Sequence, residues 1–115
     1  MNFLIRLLVT ALAAMLSAYL LPGVNIKDFT TALVLALVLA ILNLLVKPIL
    51  IILTLPATIL TLGLFLLVIN AIIILLASNL VKGFKVDGFW WALIFSLVLT
   101  VVSGIMHSIA GGDND

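Results

Sequence analysis

The chain has 115 residues, 67% of them apolar and only 8% charged, where a soluble domain is about half apolar and about a quarter charged. That composition excludes a water-soluble fold, and five basic against four acidic residues, net +1, exclude the clustered cations that nucleic-acid recognition needs. With no cysteine, disulfides and thiolate metal sites are ruled out, and the length suits one domain.

A hydrocarbon core of about 30 Å takes roughly 20 helical residues, so the sparse charges punctuate the chain. Phe3 to Leu21 is the first predicted span. Arg6 before an apolar run resembles a secretory signal, but more hydrophobic segments follow instead of a polar mature domain, and a retained helix is expected. Pro22 to Phe29 (PGVNIKDF) reads as a polar turn, and Thr30 to Val46 as a second span ending at Lys47 and Pro48. Ile49 to Val81 is an uncharged run of 33 residues, about 50 Å as one helix and too long for one crossing. Pro56 removes an amide donor and Gly63 lowers helix propensity, which divides the run into a 14-residue element, Ile49 to Leu62, and a third span, Leu64 to Val81. Lys82 to Gly88 (KGFKVDG) is a second polar turn, Phe89 to Ile109 the last span, and Gly111 to Asp115 an acidic disordered tail. The expected fold is all-α: a transmembrane helical bundle within one domain, residues 1–110, with four spans and a short Pro-containing re-entrant or half-span element.

An internal correspondence at an offset of 60 residues organises the chain: Gly23, Phe29, Ala32 and Leu33 recur as Gly83, Phe89, Ala92 and Leu93. The spans therefore read as two related hairpins. Ala32, Ala36, Ala40, Asn43 and Lys47 lie at steps of three or four and form one helical stripe, repeated by Ala92, Ser96, Thr100, Ser103 and His107. Thr10 and Ser17 correspond to Asn70 and Ala77. Small residues at this spacing let helices approach closely in lipid, so these stripes are expected to be packing faces. Asn43 and Asn70 carry amides that are costly to leave unpaired in hydrocarbon, and a contact between them is the working hypothesis. A linking element that stays on one side makes the hairpins parallel, and one that crosses makes them inverted. Crossing puts Arg6, Lys47, Lys82 and Lys85 inside with Lys27 alone outside, as the positive-inside tendency favours; the shortness of the element argues against it and is given more weight.

The remaining signals have ordinary readings. Lys47 at a span end snorkels to the headgroups, His107 is an interfacial imidazole, and Trp90 and Trp91 with Phe84 and Phe89 form an aromatic belt. Lys27 with Asp28 and Lys85 with Asp87 mark solvated turns of near-zero net charge. The sequence offers no nucleophile and base pair, paired carboxylates or phosphate-cradling glycines, so no enzymatic activity, cofactor or metal is expected.

The stretches LPGV (21–24), DFTTAL (28–33), ILNLLVKPIL (41–50), TLPATILTLGLFLLVINA (54–71) and GFWWAL (88–93) together resemble the mycobacterial-type four-transmembrane phage holin family, holin superfamily IV, which includes the YvlD-like bacterial membrane proteins. The similarity runs from about Phe3 to Ser103. It implies a multi-pass protein of the bacterial inner membrane with a holin-like label. A holin would associate with copies of itself, through faces such as the Ala32 to Asn43 stripe, and open a lesion. The expectation is therefore a lipid-embedded homo-oligomer with membrane-permeabilising capacity, although few residues are polar enough to wet a large hole. The alternatives are a small carrier or channel with a site between the hairpins, lined by Asn43, Asn70 and Ser103, and a non-lytic envelope scaffold.

Overall fold

The computed structural model describes residues 2–111; the tail residues 112–115 lie outside it, and with them most of the expected acidic tail. In chain order the elements are α1 (Phe3–Leu20), β1 (Val24–Ile26), α2 (Phe29–Leu45), α3 (Lys47–Leu53), α4 (Leu55–Leu60), α5 (Phe65–Leu80), β2 (Phe84–Val86) and α6 (Phe89–Gly111). Helix predominates, and the four long helices start and stop within two residues of the expected spans. Two of them, α1 and residues Phe89–Ala110 of α6, are long and apolar enough to cross a membrane unaided. The pair α2 and α3, bent by 40°, makes a third if counted as one, while α5 is a shorter apolar helix.

Local chemistry explains the boundaries. The Asn2 and Asp28 side chains accept from the amides of Ile5 and Thr31 and cap α1 and α2. Pro48 and Pro56 sit in the first turns of α3 and α4, where a missing amide donor costs nothing. The uncharged run is thus broken into two short helices over 47–60, not one element over 49–62, and Lys47 opens α3 instead of closing α2. After α4 the chain turns with Leu62 at φ 57° and Gly63 at φ 90°, and the Gly63 amide reaches back to the Thr58 carbonyl at 2.8 Å, a left-handed helix stop.

The polar turns correct the all-α expectation. β1 and β2 pair antiparallel with Val24 opposite Val86, Asn25 opposite Lys85 and Ile26 opposite Phe84. The rungs continue outward as Lys27 N–H to the Gly83 carbonyl and Asp87 N–H to the Gly23 carbonyl, each 2.8 Å. When 60 is added to one partner and subtracted from the other, the outer pairs of this ladder exchange and Asn25–Lys85 maps onto itself, so the ribbon is centred on Asn25 and Lys85. It ties both helix–strand–helix turns together at one end of the molecule.

Four helices form a ring in which α1 packs on α2 and α6, and α5 on α6 and α2. Buried positions recur at the same offset, as Val9 and Ile69, Ala11 and Ala71, Val24 and Phe84, Leu35 and Phe95, and Leu39 and Leu99. The hydroxyls of Ser17, Ser78, Ser96 and Thr100 donate to carbonyls of their own helices, Ser17 to that of Ala13 at 2.7 Å, which satisfies them without water. All the buried helical residues lie between Val9 and the end of α1, up to Leu42 in α2, from Ile69 in α5, and up to Leu99 in α6. The bundle is therefore packed near the ribbon and open at the other end.

Candidate functional site

At that open end a cleft of about 830 Å³ lies between α1, α2 and α6. It is built from i,i+4 geometry. Arg6 and Thr10 are one turn apart on α1; Ala36, Ala40 and Asn43 follow the small-residue stripe of α2; Thr100, Ser103 and His107 follow that of α6. Near the ribbon the same stripes are closed, with Ala32, Ala36, Ala92 and Ser96 buried. As the helices run on, the stripes emerge from the packed core and become the cleft wall.

Arg6 is exposed at the mouth, and the Thr10 hydroxyl lies 3.4 Å from His107 Nε2 one turn deeper. The Thr100 hydroxyl is committed to the Ser96 carbonyl at 2.7 Å, whereas the half-buried Ser103 and the exposed Asn43 line the cleft. Leu39 and Leu99, both buried, close the floor, and Phe3, Leu7 and Leu37 supply apolar walls. Polarity therefore falls from mouth to floor. The described carboxylates, Asp28 and Asp87, lie in the turns at the opposite end. There, the Asp28 carboxyl is held below its ordinary value chiefly by the Thr31 backbone N–H, at 2.8 Å, that it caps.

The sequence-derived residues separate into distinct groups. Asn43 and Ser103 meet in the cleft, joined by Ala36, Ala40 and Thr100. Asn70 lies outside its lining, and among the described residues no hydrogen bond links it to Asn43. Ala32 and Ala36 are occupied within the chain, packed with Ala11 of α1, and Ala92 lies in the main core. Of the aromatic residues expected to form a belt, Trp90 is exposed. Phe84 is 1% exposed and packs against Phe95 with ring centroids 5.5 Å apart, and Trp91 lies against Gly23. The aromatic run sits beside the polar turn in sequence, but the ribbon folds part of it inward. In sequence Arg6 precedes an apolar run, Thr10 shares a face of the first span with Ser17, and His107 reads as interfacial; only the approach of α1 to α6 makes them neighbours. Among the described residues no cluster of His, Asp or Glu could hold a metal ion.

A family described as mycobacterial 4 TMS phage holin, superfamily IV, matches residues 1–105. The chain belongs to this holin family. This holin-family chain is 38% identical to an uncharacterized protein of Streptomyces coelicolor, covering 93% of this chain and 94% of the relative. It is 41% identical to the uncharacterized membrane protein YvlD of Bacillus subtilis, over 84% of this chain and 82% of that protein. No solved structure matches the holin-family chain.

Proposed function

We propose that this holin-family protein is a non-catalytic, multi-pass unit of the bacterial inner membrane that binds a ligand in the cleft between α1, α2 and α6, entered from one membrane face. In this reading α1, α2, α5 and α6 are the four spans. The hairpins are a parallel repeat, and α3 with α4 is a re-entrant element that stays on the open side. The β1–β2 pairing supports that topology, because with both turns at one end, α2 must end and α5 begin at the other.

The observation that carries the functional reading is that polar side chains converge at one end while the other is filled by Leu35, Ile69, Phe84 and Phe95. A cleft of this size, mostly apolar with a few converging polar groups, has the character of a binding site. A water path through one copy would have to pass the packed half. The holin label supports a second reading, permeabilisation by several assembled copies. Such an assembly would use outward faces, since Ala32 and Ala36 are already engaged on α1.

Two experiments test the proposal. Controlled expression in a bacterial host, with membrane potential and release of a small dye followed alongside growth, is expected to leave both intact. Prompt depolarisation and leakage would overturn the closed-unit reading in favour of assembly. Because the chain has no cysteine, the substitution Ser103→Cys introduces a single thiol. In vesicles of zwitterionic phospholipid that thiol should react with a neutral water-soluble maleimide; an inert thiol would mean that the cleft is not open to ligands.

A further inference from the structure

We infer that the cleft is a seat for an anionic phospholipid, with the phosphate-bearing headgroup at Arg6 and the first part of one acyl chain running toward Leu39 and Leu99. This inference rests on the cleft being the ligand site, and names the ligand.

Charge supplies the first reason. The mouth presents the exposed Arg6 guanidinium, the lining behind it includes Asn43 and Ser103, and Asp28 and Asp87, the carboxylates of the described residues, lie at the far end. Among the described residues the guanidinium has no carboxylate at its end of the bundle, and a guanidinium suits a phosphate oxyanion.

The second reason is the polarity gradient. From His107 to Leu99 is eight residues along α6, about 12 Å at the helical rise. From Arg6 inward the lining passes through Thr10 and His107, one turn deeper, and then Ser103 to the apolar floor. A phospholipid in the adjoining leaflet has the same order, charge at the surface and methylenes toward the midplane. A free inorganic anion would use the mouth and leave the apolar floor unfilled, so the floor favours the amphiphile. Its headgroup would be drawn from the bilayer around the protein, with Arg6 placed by the start of α1 close to headgroup depth.

The test compares labelling rates of the full-length Ser103→Cys protein in vesicles of zwitterionic phosphatidylcholine, whose net charge is zero, and in vesicles containing anionic phosphatidylglycerol. A seat filled nine-tenths of the time leaves about one-tenth of the thiol reactive, so labelling should slow about tenfold. An Ile109→Cys control at the same end, 77% exposed, should keep its rate. Adding Arg6→Gln should return the cleft thiol to within about twofold of its phosphatidylcholine rate, whereas Arg6→Lys should retain most of the protection. Equal rates in the two vesicles would overturn the lipid seat while leaving the open cleft standing, and a cleft thiol inert in both would overturn both. Protection by inorganic phosphate in phosphatidylcholine vesicles equal to that by phosphatidylglycerol would also overturn it, assigning the mouth to a free anion.

Discussion

Gly23→Ala probes the junction that closes the ribbon end. A Cβ at Gly23 would overlap the Trp91 indole at the start of α6. At the corresponding place in the other hairpin, Gly83 faces Thr31, whose Oγ1 would lie 3.0 Å from an added Cβ. Each glycine thus admits the first turn of the opposite hairpin's second helix, and the two junctions differ in the size of the incoming side chain. Overpacking of this kind costs roughly 1–3 kcal/mol. Relief by swinging the indole outward forfeits an aromatic burial of about 1.5–3 kcal/mol, so a loss of about 2–3 kcal/mol is expected for Gly23→Ala. Unfolding in mixed micelles, followed by circular dichroism, measures it. Trp91→Thr gives α6 the side chain α2 already carries there, and the double variant Gly23→Ala with Trp91→Thr should be more stable than the sum of the two losses by about 1–2 kcal/mol. If Gly23→Ala unfolds like the parent, or if the penalties add within about 0.5 kcal/mol, the close approach does not hold the junction.

Ala36→Leu should destabilise the fold by roughly 1–3 kcal/mol, because Ala36 is 2% exposed and packed with Ala11; a variant of unchanged stability but smaller oligomer size in gentle detergent would show that the stripe serves association instead. Asp28→Asn should keep the cap of α2 while flattening the acid side of the stability curve. The Asp28 pKa is lowered in the folded state, so its contribution is present above the unfolded value of about 3.9 and is lost as pH falls through the lower folded value. An acid limb unchanged by Asp28→Asn in a denaturation series would refute this. Leu62→Gly removes a left-handed Cβ conflict of roughly 1–2 kcal/mol against about 0.5–1 kcal/mol of added unfolded-chain freedom. A net gain of about 0.5 kcal/mol is therefore expected, and a clear drop in the thermal midpoint would show that this 94%-exposed side chain makes a contact that matters.

Much of the fold is legible in the residues because local rules govern it. Lipid as solvent, the lengths of the long helices, the division of the uncharged run at Gly63, and the sixty-residue correspondence all follow from apolar runs, helix-breaking residues and repeated letters, whereas the separation of α3 from α4 before Pro56 does not. Three-residue strands such as VNI and FKV are too short to announce themselves, and their pairing depends on a partner sixty residues away. The burial of Phe84 and Trp91 could not be read for the same reason, since an aromatic residue beside a charge looks interfacial until a distant segment covers it. Periodicity established that Ala32, Ala36 and Asn43 share a face, and Thr100, Ser103 and His107 another. It carries no information about what each face meets, because a helical repeat defines direction around its own axis only. Tertiary structure decided that the first stripe packs on α1 near the ribbon and that both open, with Arg6, into one cleft at the other end: packing between helices depends on which ends the ribbon holds together, and that is a property of the whole chain.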